Sequence, residues 1–162
     1  MKKCGFNLDC SYSKLPGFFF TKIAPKKVES PKLVLLNNNL TKLLDLDFSM
    51  IDENLKADLF SGNILPPKSK PISQAYAGHQ FGNFSILGDG RAVLIGEHIN
   101  SSNEKFDIQF KGSGTTPYSR SGDGRAALSP MLREYLISEA MHFLNIPTTR
   151  SLAVTSTGEK VF

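Results

Sequence analysis

The chain has 162 residues, 40% hydrophobic, 21% charged and 10% aromatic, an ordinary globular composition that excludes a disordered or collagen-like polymer. At this length a single domain buries about 70% of the surface its unfolded chain exposes, so a core needs neither disulfide nor metal staples. The formal charge of +4 comes from the first fifty residues, which carry eight lysines and four acids against eleven of each sign in residues 51–162, and this argues against a basic nucleic-acid face.

No stretch approaches the roughly 20 apolar residues that span a bilayer. Met1-Lys2-Lys3 is followed by Asn7 and Asp9 where a secretory leader needs an apolar run. Cys4 and Cys10 have no Cys or His neighbours at zinc spacing and read as free thiols of a reducing compartment. A cytoplasmic protein is expected, without membrane or nucleic-acid partners.

In chain order, Pro16, Pro25 and Pro31 interrupt any helix over the first thirty residues, with Phe18-Phe19-Phe20-Thr21 as a short strand or hydrophobic tether. Leucines 33, 36, 40, 43 and 44 recur at helical spacing and predict an amphipathic helix over 32–46. A second helix is predicted from Asp52 to Phe60, stopped by Ser61-Gly62. After a proline-rich loop at 65–71, His79 sits among glycines and reads as a structural histidine in a tight turn. Strands are predicted at 84–87, 92–99 and 106–110, the last alternating Phe106, Ile108 and Phe110 against Asp107 and Gln109. Asp89-Gly90 is read as one hairpin turn and residues 100–104 as the next. A glycine-rich loop follows over 112–129. Pro130 then opens a helix with Leu132, Leu136, Ala140, Phe143 and Leu144 on its buried stripe, and strands are predicted at 151–155 and from Val161.

One short repeat stands out: Gly88-Asp89-Gly90-Arg91-Ala92 recurs as Gly122-Asp123-Gly124-Arg125-Ala126. Glycines let the backbone approach a ligand, and an adjacent arginine offers a forked donor suited to phosphate. Two DG turns with solvated arginines are the other reading. Lys111 ends the alternating strand and enters Gly112-Ser113-Gly114-Thr115-Thr116, where its ammonium suits a phosphate or serves as a charged guard on a strand edge. Glu134 lies beside the leucine stripe of the following helix. It is either solvated near Arg133 or the partner of Lys111, the lysine–glutamate device with which protein kinases hold ATP phosphates. The kinase glycine loop itself is a poor match, since Gly88-x-Gly90-x-x-Val93 lacks the third glycine.

Longer motifs are more specific. Ala75-Tyr76-Ala77-Gly78-His79-Gln80-Phe81-Gly82-Asn83-Phe84, Leu87 to Ala92, Lys111 to Arg120, Arg133 to His142 and Ile146-Pro147-Thr148-Thr149-Arg150 together resemble the selenoprotein O family. The resemblance implies an α+β fold, a protein-kinase-like small lobe with an antiparallel sheet and a packed helix over 72–162. A helical N-terminal extension with two helices would precede it over 1–71. It also implies transfer of AMP from ATP to Ser, Thr or Tyr hydroxyls of proteins. Gly88, Gly90, Arg91 and Lys111 then match nucleotide-contacting positions, as do Asp123 and Gly124, and Glu134 matches the helix partner of Lys111. By the same resemblance the catalytic-base Asp and the Asn and Asp that hold Mg lie downstream of the matched region, so no catalytic or metal-binding residue is assigned here. The expectation is an ATP-binding portion that is inactive alone and completed by a separate chain, with a non-catalytic remnant as the alternative.

Overall fold

The computed structural model describes residues 4–80 and 82–161. Eight strands and three helices are assigned among them: β1 Leu8–Asp9, β2 Phe20–Lys22, β3 Lys32–Leu36, α1 Asn38–Leu43, α2 Glu53–Ser61, β4 Ile72–Gln80, β5 Asn83–Gly88, β6 Ala92–Ile99, β7 Lys105–Lys111, α3 Leu128–Phe143 and β8 Ala153–Ser156. The class is α+β, with every strand pair antiparallel.

Strand β6 organises a six-stranded sheet. It pairs with β7 from Ala92↔Lys111 to Ile99↔Lys105, while its other edge takes β1 at His98 and β4 at Leu94. Strand β4 in turn carries β5 and β2, and β3 and β8 form a separate ribbon. The alternation read in β7 holds: Phe106, Ile108 and Phe110 are half-buried between exposed neighbours. Phe106 and Ile108 pack on a core of Cys4, Leu40, Leu44, Leu46, Phe48 and Leu59, so the first sixty residues supply most of the apolar layer under that face. Cys4 and Cys10 are buried free thiols.

Four expectations change. The leucine run at 32–36 is strand β3, not the first turns of a helix. A short unbroken apolar run fits either state, and pairing with β8 decides it. Asn37 then caps α1, its Oδ1 accepting from Leu40 N–H at 3.0 Å, so the helix keeps only Asn38–Leu43. The region before residue 72 therefore contains three strands as well as the two helices. Helix α2 falls where expected, with Asp52 accepting from Leu55 N–H at 2.9 Å and Gly62 closing it in the left-handed region.

The glycines around His79 concealed a nine-residue strand. His79 stands exposed on β4, its ring edge-on to Phe84 at 5.6 Å, and no tight turn surrounds it. Consequently β5 pairs with β4, and Asp89-Gly90 does not close a hairpin between β5 and β6, whereas residues 100–104 do join β6 to β7. The histidine built into the core is His98. Its Nδ1 accepts from Asn7 N–H at 3.2 Å and its Nε2 lies 2.6 Å from the Leu44 carbonyl, so the ring ties the residue before β1 and the C-cap of α1 to β6.

Helix α3 begins at Leu128, so Pro130 occupies its third position, where a missing N–H costs nothing. None of its residues is fully buried. Leu136, Phe143 and Leu144 of the expected stripe are 65%, 69% and 70% exposed, and the half-buried face is instead Met131, Leu132, Tyr135, Ser138 and Met141. The helix is held at its far end by Arg150, whose Nε and Nη2 donate to the two oxygens of Glu139 at 2.7 and 2.6 Å. Phe84 is exposed as well, and Phe81 lies outside the described residues, as does the end of the strand expected from Val161. No helix of the described residues is long and apolar enough to cross a membrane.

Replacing His98 by leucine leaves the buried Leu44 carbonyl and Asn7 N–H unpaired, and urea unfolding should show a loss of about 2–3 kcal/mol. The Arg150 hydrogen bonds hold the Glu139 carboxyl below its ordinary value. The pair thus adds stability above about pH 4.3, the unperturbed glutamate value, that disappears as pH falls through the lowered one. Thermal unfolding followed across pH 2–6 should show this acid limb in the parent and a flatter one in Glu139→Gln.

Candidate nucleotide site

The β6–β7 ladder sets the site. Because Ala92 faces Lys111, the turn that precedes β6 and the loop that follows β7 leave the sheet side by side, and Gly112 N–H donates to the Arg91 carbonyl at 2.7 Å. Lys111 projects from the end of β7 to α3, where its Nζ lies 2.8 and 2.7 Å from the two carboxylate oxygens of Glu134. Both side chains are nearly half exposed, at 43% and 45%. An ion pair so exposed contributes little to stability. Its effect is to hold an ammonium at a fixed place beside two glycine loops.

Those loops are packed into one body. A Cβ on Gly88 would fall 2.5 Å from the Tyr118 ring and one on Gly90 2.9 Å from the Tyr118 carbonyl, so both glycines admit the second loop against the first. Ser119 Oγ accepts from Thr116 N–H at 2.7 Å and donates to the Gly90 carbonyl. Thr116 Oγ1 donates to the Asp89 carbonyl at 2.6 Å and accepts from Tyr118 N–H. Farther along, Gly114 N–H donates to the Gly124 carbonyl at 3.1 Å and Ser113 bridges to Arg125, closing the base of the second loop. Gly124 has φ +69°, and a Cβ there would lie 2.0 Å from the Gly114 carbonyl.

The repeated Gly-Asp-Gly-Arg-Ala segments adopt opposite orientations. In the first, Asp89 is buried and Arg91 exposed; in the second, Asp123 is exposed and Arg125 buried. Asp123 Oδ1 accepts from Arg125 N–H at 2.8 Å. The Arg125 guanidinium lies 2.7 Å from Glu159 as an ion pair, off the line of a hydrogen bond. Burial pushes the Asp89 carboxyl above the usual carboxylate range, against the opposing pull of Gln74 N–H, the Tyr76 phenol and Gln109.

Of the residues singled out in the sequence, Gly88, Gly90, Arg91 and Lys111 lie along one edge. Asp123 and Gly124 stand at the base of the second loop, and Glu134 reaches Lys111 from α3. A cavity of about 430 Å³ next to Lys111 is lined by Gly112, Ser113, Arg125 and Glu159. One of about 1290 Å³ separates α3 from β7, with Phe110, Ile137 and Met141 in its walls. Sequence reasoning named Asp89, Thr116, Tyr118 and Ser119 within motifs but gave none of them a part in the site. The available signal was the hydroxyl-rich run between the two repeats, whose partners only the sheet register reveals. Among the described residues no three His, Cys, Asp or Glu side chains cluster as a metal site.

A strand lysine paired to a helix glutamate beside glycine-rich loops is the arrangement with which protein kinases hold ATP phosphates. The comparison with known proteins is specific: the family described as Protein adenylyltransferase SelO matches residues 4–162, and the chain belongs to that family. Relatives named Protein nucleotidyltransferase YdiU are 64% identical over 157 residues in Pelagibacter ubique, 60% over 158 in Nitrosococcus oceani and 60% over 156 in Anoxybacillus flavithermus. Each match covers 96–98% of this chain and 32% of the relative, so the chain spans about a third of their length.

The second loop should be intolerant at its tightest glycine. Gly124→Ala meets both a positive φ and a backbone clash, and differential scanning calorimetry should record a loss of about 1–3 kcal/mol, with amide exchange accelerated across 112–125.

Proposed function

We propose that this chain forms the ATP-binding portion, a kinase-like small lobe, of a protein adenylyltransferase that transfers AMP from ATP to Ser, Thr or Tyr hydroxyls of proteins. The single observation that carries the reading is the Lys111–Glu134 pair at the junction of the two glycine loops. A triphosphate needs its charge neutralised at fixed points. Lys111 supplies one such point, held by Glu134 so that no side-chain search precedes binding, and exposed Arg91 supplies a second at the edge of the first loop. Exposed Asp123, whose Oδ1 accepts from Arg125 N–H, offers its carboxylate to a ribose hydroxyl.

In the reaction, a substrate hydroxyl oxygen attacks the α-phosphorus, the bond from that phosphorus to the α,β-bridging oxygen breaks, and pyrophosphate leaves with both bonding electrons. The hydroxyl proton must pass to a base. Base and metal ligands belong, on this reading, to the part of the relatives that this chain does not span, whether joined to it or supplied as a separate chain. Residues 72–162 are the nucleotide-binding unit and residues 1–71 buttress it.

The test joins the chain to the downstream two thirds of the Pelagibacter ubique relative and follows transfer of α-labelled AMP to protein. Lys111→Ala should reduce kcat/KM for ATP at least 100-fold, which corresponds to about 2.7 kcal/mol. Glu134→Gln should reduce it less, because the ammonium remains. An unchanged rate with Lys111→Ala, or label transferred only from γ-labelled ATP, overturns the reading.

A further inference from the structure

We infer that Asp89 is a positioning residue for the nucleotide, the buried point at which the two glycine loops and strands β4 and β7 are fastened together. The inference rests on the reading that these loops receive ATP and goes beyond it, since Asp89 points away from any ligand on the loop surface.

Its backbone N–H, its carbonyl and its Oδ2 are all engaged. Its N–H donates to the Gln74 carbonyl at 2.9 Å, and its Oδ2 accepts from Gln74 N–H at 3.1 Å and from Gln109 Nε2 at 3.3 Å. One carboxylate thereby clasps β4 and β7 at the point where the chain enters β6 between them. Its carbonyl accepts from Ser73 Oγ at 2.9 Å and from Thr116 Oγ1 at 2.6 Å, the first in β4 and the second in the other glycine loop. Ser73 and Thr116 are themselves buried, so these hydroxyls have no water to exchange with.

The consequence is geometrical. Gly88 and Gly90 flank Asp89 and have no side chains of their own to hold them, while Arg91 is exposed and takes its direction from the backbone. With the aspartate fastened, that backbone has one arrangement before nucleotide arrives, and ordering it costs nothing on binding. The inward carboxylate also keeps a negative charge away from a triphosphate lying on the loops.

The experiment uses the chimera described above and measures KM for ATP and kcat separately. Asp89→Ala should raise KM at least tenfold while kcat falls less than threefold, and Asp89→Asn, whose amide oxygen still accepts from Gln74 N–H, should bring KM back to within threefold of the parent. If Asp89→Ala does not fold, Thr116→Val removes one hydroxyl from the clasp without exposing a buried charge and should raise KM by at least threefold. An unchanged KM in whichever of the two variants folds overturns the inference; if Lys111→Ala still abolishes transfer, the ATP-binding reading stands without it. If Lys111→Ala also leaves transfer intact, the reading fails and the inference fails with it.

Discussion

The β6–β7 ladder is the constraint from which most of the architecture follows. Its register sets Ala92 opposite Lys111, and from that single pairing the chain leaves the sheet on both sides into glycine-rich segments. The same strand has three partners because it is the most buried element of the fold, with Val93, Leu94 and Ile95 each at most 3% exposed. A strand covered on both faces cannot shift register without exposing its apolar side chains, and so the loops at its end inherit a fixed origin. His98 closes the opposite end by bonding to backbone from two other elements.

Helix α3 is positioned by a different kind of force. Core elements of this protein are held by apolar contact, but α3 has no buried residue and is tied to the rest by charge, at Glu134 near its middle and at Glu139 toward its C-terminal end. The two ties are unequal. Glu139 and Arg150 are at most 13% exposed and doubly bonded, which makes them an anchor; Glu134 and Lys111 are open to water and easily screened. One end of the helix is thus fastened and the other adjustable.

Much of this was legible in the sequence, and the reasons for the failures are specific. Alternation identified β7, strand-type composition β6 and the stop at Ser61-Gly62 the end of α2, and a polar loop between two apolar strands identified the β6–β7 hairpin. The run at 32–36 was ambiguous because five residues of lysine, valine and leucine carry no period of their own; only the distant β8 selects the strand. Strand β4 was hidden by Gly78, which imitates a turn signal inside the strand, and by Gly82, a true turn residue with φ +79° just beyond its end. The stripe of α3 was misread because helical spacing identifies an apolar face but not the presence of something to cover it. The site residues could be named from motif resemblance, yet the bonds that hold their loops together, at Asp89, Thr116 and Ser119, depend on register and could not be read from spacing.

The two Gly-Asp-Gly-Arg-Ala segments, identical in letters and inverted in burial, have a consequence for how variation should be interpreted. Selection for folding alone would retain Asp89 and Arg125 and release Arg91 and Asp123, whereas selection for a bound anion would retain the exposed pair as well. Substitution patterns at these four positions, gathered from any population of such sequences, therefore separate lineages that keep the chemistry from lineages that keep only the shape. The same letters are buried at one site and exposed at the other.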